Sequence, residues 1–182
     1  LEYTTASRGV IFLYTAPFFV ALCARWLLPL EQMRRAQWAG MALAFVGILV
    51  LFGEHLFASA DKAWIGDLMI MLAAMFWAAT TLTVKASALA RASAEKTLLY
   101  QLGVSAIVLP LLSLALGEPG VFAPSVLIWA GLVFQIIVVA AISYMGWFWL
   151  IARYPATRLS TFSFLTPVMG VLAGGLLLDE AL

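Results

Sequence analysis

Apolar residues gather in six long runs along the chain, at positions 9–28, 37–53, 64–84, 98–117, 126–152 and 159–178. Short polar stretches such as "PLEQMRRA", "KASALARASAEKT" and "RYPATR" separate them. A helix crosses a bilayer with roughly 17–25 apolar residues, whereas a barrel strand uses about 10 with alternating polarity. The runs are long and do not alternate, so they predict helices. Five meet the spanning length comfortably. Run 37–53 is marginal, and run 126–152 must tilt, bend or extend past the lipid. The expected fold is all-α, a polytopic transmembrane bundle of six spans. The connections are too short to hold a soluble domain.

Composition supports the same reading. The chain is 65% hydrophobic and 10% charged, against about 45–50% and about 25% in soluble domains. Its solvent is therefore mostly lipid. A net charge of +1 gives no ground for a nucleic-acid partner. The single cysteine, Cys23, has no internal disulfide partner, and with one histidine, His55, it argues against a zinc site. No cofactor is expected. The chain opens in what reads as a helix entrance, where no signal peptide is visible, and the reading expects a piece of a longer protein.

Basic residues give the orientation. With six crossings, Arg34, Arg35, Lys85, Arg91, Lys96, Arg153 and Arg158 fall on one side and only Arg8 and Lys62 on the other. Such a bias marks the first side as cytoplasmic. This predicts a multi-pass protein of the cytoplasmic (inner) membrane with loops 31–36, 85–97 and 153–158 inside. Arg25, close to the inner end of its helix, can snorkel to water. Most tryptophans lie toward run ends as interface anchors do; Trp77 is the exception.

Two of the runs also resemble each other. An offset of 150 residues matches Pro17 with Pro167, Arg8 with Arg158, Ala6 with Ala156 and Phe12 with Phe162. Five crossings separate the matched positions, so the two helices traverse the membrane in opposite senses. That is the pattern of an inverted repeat, in which transporter halves rock about a site near the midplane.

At these residues the chain resembles the EamA-type transporters of the drug/metabolite transporter superfamily. "YTTASRGVIFLYTAPFFVALCARWLLPLE" with "QWAGMALAFVGILVL" is similar to the last two helices of that family's first repeat. "GDLMIMLAAMFWAATTLTVKA" and "ISYMGWFWLIARYPATRLSTFSFLTPVMGVLAGGLLLDE" look like parts of the second. The resemblance implies ten helices in two inverted halves, of which residues 1–53 would hold the last two helices of the first repeat and 64–182 the first four of the second. It also implies export as the direction of movement. The family's "GE" appears as "PLE" at Glu31 and as "LDE" at Glu180, and the extra residue in the first breaks the 150-residue register.

The candidate chemistry is polar but not acidic. Pro17 and Pro167 each remove a helical donor, from the carbonyls of Leu13 and Ser163 respectively. They read either as hinges framing a cavity or as packing kinks. Arg8 and Arg158, at helix entrances, read as interfacial anchors or as gating groups. Trp77 and Thr81, Tyr144 and Trp147, and Ser163 and Thr166 form an aromatic and hydroxyl set suited to binding a moderately polar solute. Alternatively, the hydroxyls bond their own helices and the rings fill space. Gln135 is expected to bond between helices. Asp67 reads as an N-cap. Rows of small residues, Ala36, Gly40 and Ala44 on one helix and Gly170 with Gly174 on another, permit close helix approach. The expected function is a permease moving small organic metabolites, amino acids or drug-like solutes by alternating access, with the solute and the lipid bilayer as its partners. The competing classes are a membrane enzyme, for which the lone His55 is the weak candidate, and a structural membrane subunit.

Overall fold

The computed structural model describes residues 3–56, 63–118 and 125–177, without the side chains of 55–56 and 173–177. Lys62, the His55 side chain and Glu180 lie outside this description. Every regular element among the described residues is helical. The α-helices are α1 (Ala6–Leu13), α2 (Ala16–Leu27), α3 (Arg35–Phe52), α4 (Ala63–Ala86), α5 (Ala94–Ala115), α6 (Val126–Phe134), α7 (Tyr144–Arg153), α8 (Ala156–Phe162) and α9 (Leu165–Leu177), with short 3-10 turns at Pro29–Glu31, Gly53–Leu56 and Ala88–Arg91. A π-helical segment, Gln135–Ser143, joins α6 to α7.

Among the described residues, five helical stretches are long and apolar enough to cross a membrane: Ala6–Leu27, Arg35–Phe52, Ala63–Ala86, Ala94–Ala115 and Val126–Arg153. The sixth apolar run falls on α8 and α9. The long fifth run is accommodated by the π segment, whose wider coil places more residues in each turn.

Local sequence sets the helix ends. Thr5, Ser93 and Ser125 each precede an apolar run. Their hydroxyls accept the backbone N–H three residues on, from Arg8, Lys96 and Ile128, all at 3.3 Å. Each such cap supplies a partner for an otherwise unpaired helix donor. Gln37 reaches back to the Arg34 N–H at 2.7 Å, the glutamine half of a capping box. α5 closes on Gly117 at φ 67°, with the Glu118 N–H on the Ser113 carbonyl at 3.1 Å. A side chain at that left-handed position would be strained.

The chain packs as two units, residues 1–87 with 154–182 and residues 88–153. In the first, α4 lies along both α1 and α2, α8 packs on α2, and α3 packs on α1. In this unit α1–α3 lie together with α4, α8 and α9. Small residues permit the close approach: Ala21, Ala24, Ala74, Ala78 and Ala156 are all buried. Lipid is as apolar as a side chain, so helices associate through such packing rather than through a hydrophobic drive. One cluster joins Ile11, Tyr14, Met41, Ile48 and Phe164, and a second joins Val20, Ala24, Ala78, Leu82 and Ala156. Phe18, Phe45 and Phe164 meet edge to face with centroids 5.2–6.4 Å apart, the favourable aromatic geometry.

In the second unit α5 packs on α7. At the end of α7 the Arg153 guanidinium lies 4.1 Å from the Trp149 ring centroid, within cation–π range. The apolar faces of α5 and α6 are largely exposed, Leu114 at 78% and Val126 at 86%, as lipid-facing surfaces are.

Candidate functional site

Both proline-bearing helices break just before the proline. α1 ends at Leu13 and α2 begins at Ala16, with Pro17 in its first turn, where the missing N–H costs little. At the bend, the Phe12 carbonyl accepts the Thr15 N–H at 3.2 Å and the Thr15 hydroxyl at 2.6 Å. The second break lies between α8 and α9. There the Ser160 carbonyl accepts the Ser163 N–H at 3.3 Å and the Ser163 hydroxyl at 2.6 Å. The sequence argument leaves the Ser163 carbonyl without its usual donor. A tighter three-residue turn instead supplies the Thr166 N–H at 3.0 Å, so this oxygen is already engaged.

The two bends meet. Tyr14 and Phe164, equivalent at the 150-residue offset, pack with ring centroids 5.9 Å apart at 34°. Farther along, Ala24 and Ala156 share a cluster, so α8–α9 run against α1–α2.

Polar clasps hold both ends of this group. At one end the Arg8 guanidinium forms an ion pair with Asp67, Nη2 on Oδ2 and Nε on Oδ1 at 3.2 Å. The Thr4 hydroxyl adds a bond to Oδ1 at 3.0 Å. This corrects the N-cap reading of Asp67: α4 begins at Ala63, so Asp67 stands one turn inside it and faces Arg8 instead. Gly66 lets Thr4 approach, since a Cβ there would sit 2.7 Å from the Thr4 Cβ. At the other end, Glu31 accepts the Ala156 N–H at 2.6 Å and lies 3.6 Å from the Lys85 ammonium. Lys85 donates to the Tyr154 carbonyl at 2.9 Å, and the Thr157 hydroxyl donates to the Glu31 carbonyl at 3.3 Å. The chain segments at 31, 85 and 154–157, which the charge count puts on one side, are thus in contact.

Pro17 and Pro167 are buried. Thr81 is also buried and its hydroxyl donates to the Trp77 carbonyl at 3.1 Å; Trp77 itself is half-buried. Ser163 is half-buried and Thr166 exposed. Tyr144 and Trp147 belong to the second unit, on consecutive turns of α7, exposed and half-buried respectively. Gln135 is exposed at the start of the π segment, rather than bonded between helices among the described residues.

Among the grooves on the first unit, two have largely apolar walls. One, of about 710 Å³, lies between α3 and α8–α9 and includes Gln37, Gly40, Ala44, Gly47 and Arg158. The other, of about 620 Å³, lies between α2 and α4 and includes Cys23, Phe76 and Thr83. Trp77, Thr81, Ser163 and Thr166 line neither. Sequence reasoning missed the Glu31–Lys85 clasp and the pairing of Arg8 with Asp67. The available signal was two opposite charges, Arg8 and Asp67, near the same expected end of neighbouring runs.

These features define a polytopic membrane helix bundle with paired, oppositely directed, proline-bent helices. The chain belongs to the EamA-like transporter family, whose model matches residues 1–53 and 64–182. It is similar to "Uncharacterized transporter YoaV" of Bacillus subtilis (strain 168), 22% identical over 99% of this chain and 61% of the relative. "Uncharacterized transporter YetK" of the same organism is 27% identical, over 99% and 55%. "Probable amino-acid metabolite efflux pump" of Escherichia coli (strain K12) is 28% identical, over 84% and 53%. The chain thus spans about half to three-fifths of these relatives. No solved structure matches it.

Proposed function

We propose that this chain forms the greater part of a carrier that exports small organic solutes by alternating access, in the cytoplasmic membrane with loops 31–36, 85–97 and 153–158 inside. The observation that carries the reading is the antiparallel meeting of two proline-bent helices at Tyr14 and Phe164. Inverted repeats place a solute site where two such broken helices meet near the midplane. Family membership favours a carrier over an enzyme.

In this reading Pro17 and Pro167 are the hinges. The Thr15 and Ser163 hydroxyls bond carbonyls at the bends and let each joint move without exposing bare backbone to lipid. Arg8, held by Asp67, closes one end of the helix group, and Arg158 draws anions at the other. Trp77, Thr81, Ser163 and Thr166 offer solute contacts near α4 and the second bend. Tyr144 and Trp147 offer aromatic and hydroxyl contacts from α7. The relative named as an amino-acid metabolite efflux pump makes amino acids and their derivatives the first solutes to test.

The test is flux through the full-length parent protein in proteoliposomes, across a panel of amino acids, their derivatives and cationic drugs. Saturable counterflow of at least one solute, lost in a Pro17→Ala, Pro167→Ala double variant that still folds, is the expected result. No flux of any member of the panel sinks the proposal.

A further inference from the structure

We propose that the groove between α3 and α8–α9 binds an anionic phospholipid of the cytoplasmic leaflet, its phosphate on Arg158 and one acyl chain along Gly40, Ala44 and Gly47. The inference rests on the membrane orientation proposed above but not on transport.

The shape suits an acyl chain. The α3 wall runs from Gln37 to Leu51, about 21 Å at 1.5 Å per residue. One leaflet's hydrocarbon is about 15 Å thick, so this length covers a chain and reaches the headgroup level. Beyond the mouth the walls are apolar, with Ile48, Leu51, Leu165 and Val168 among them. Within the described residues the space above its glycines is clear, because a Cβ built on Gly40 or Gly47 meets nothing within 4 Å.

Polar groups gather at one mouth only. Arg158 lines it, exposed, and its side chain makes no ion pair or hydrogen bond among the described residues. Arg8, its counterpart at the 150-residue offset, is neutralised by Asp67. Gln37 lines the same mouth with its carbonyl oxygen held by the Arg34 N–H, which leaves its two amide N–H donors to face an acceptor. No carboxylate lines the groove. A cation, an amide donor and a long apolar slot match a phosphodiester carrying a hydrocarbon tail. Cationic pockets between helices at the cytoplasmic face bind such headgroups.

Charge also decides against a second copy of the chain as the occupant. Arg34 and Arg35 are exposed and flank the lining residues Met33 and Gln37. A two-fold axis normal to the membrane is isologous. It would bring Arg34, Arg35 and Arg158 of both copies to one end without an intervening anion.

The experiment uses the full-length parent purified in mild detergent and mixed with equal amounts of palmitoyl-oleoyl phosphatidylglycerol and phosphatidylcholine. Native mass spectrometry reads the retained lipid. Phosphatidylglycerol is retained in preference, and Arg158→Gln lowers that preference about fivefold, the effect of one cation near an anionic headgroup. Gly47→Leu projects into the open slot and lowers retention of both lipids while the melting temperature holds. Equal retention of the two lipids by the parent overturns the proposal. So does an unchanged preference in Arg158→Gln, or glycerol 3-phosphate competing as well as the intact lipid. Unchanged lipid retention in Gly47→Leu also overturns it, and assigns the groove to a second copy if a dimer becomes a monomer, or to a parent helix beyond residues 1–182 if the melting temperature falls instead. These readouts require no flux, so they stand or fall separately from the carrier reading.

Discussion

Tyr14 and Phe164 stand 150 residues apart in the chain and ring to ring in the structure, with centroids 5.9 Å apart. The offset that relates two prolines, two arginines and two phenylalanines in the sequence therefore also relates two side chains in contact. Each occupies a helix break, Tyr14 just after α1 and Phe164 just before α9, so the contact joins bend to bend.

The first prediction tests that contact. Phe164 is buried and also meets Phe18 and Phe45. Phe164→Ala leaves a cavity among these rings and should cost about 3 kcal/mol, the low end for a buried aromatic cut to alanine. Phe164→Leu should cost less than about 1.5 kcal/mol. Thermal unfolding of the full-length protein in detergent checks both, and equal melting temperatures for the two variants would contradict the packing.

The Arg8–Asp67 pair is largely enclosed, its two side chains 12% and 10% exposed. Asp67→Asn leaves the guanidinium without its counter-charge, which should cost about 3 kcal/mol, as for other buried pairs broken on one side. The exchanged variant, Arg8→Asp with Asp67→Arg, should recover part of the loss. A double-mutant cycle on unfolding midpoints measures the coupling. A coupling energy near zero would mean that the two charges are solvated independently.

Gly66 and Gly47 form a matched pair of tests. A Cβ at Gly66 meets Thr4 at 2.7 Å, whereas one at Gly47 meets nothing within 4 Å. Gly66→Ala should separate Thr4 from Asp67 and cost about 1–3 kcal/mol as an overpacking change. Gly47→Ala should be neutral or slightly stabilising, because glycine inside a helix costs about 0.5–1 kcal/mol relative to alanine. The order of the two melting temperatures is the readout, and a reversed order would place α1 and α4 farther apart.

The proline bends separate stability from motion. Pro17 sits in the first turn of α2, where alanine is readily accepted. Pro17→Ala and Pro167→Ala should keep or raise the melting temperature while slowing solute flux about tenfold, the effect of about 1.4 kcal/mol on the limiting step. Flux in proteoliposomes beside unfolding in detergent checks this. Unchanged flux would make both prolines packing devices.

Much of this molecule is legible from a single strand of letters. Run lengths predict membrane helices, the arginine and lysine bias groups segments 31, 85 and 154–157 on one side, and Pro17 and Pro167 mark the breaks. Each of these is a local property: the length of an apolar stretch, the sign of a loop, or the absence of one N–H. Asp67 and the hydroxyls were harder to read. Thr81 and Ser163 satisfy their own helices, as a hydroxyl in lipid readily does. Asp67 pairs across 59 residues with Arg8, a partner that no local pattern names.

The sequence alone thus determined the solvent, the element type, the orientation signal and the places where helices bend. Only the tertiary structure decided which charges clasp, that Tyr14 meets Phe164, and that a groove with Arg158 at its mouth runs beside α3. The reason is that these facts depend on how each helix is rotated about its axis. In water an apolar stripe sets that rotation, but here the lipid-facing and protein-facing sides are both apolar. Packing of small residues and a few polar contacts must choose it instead.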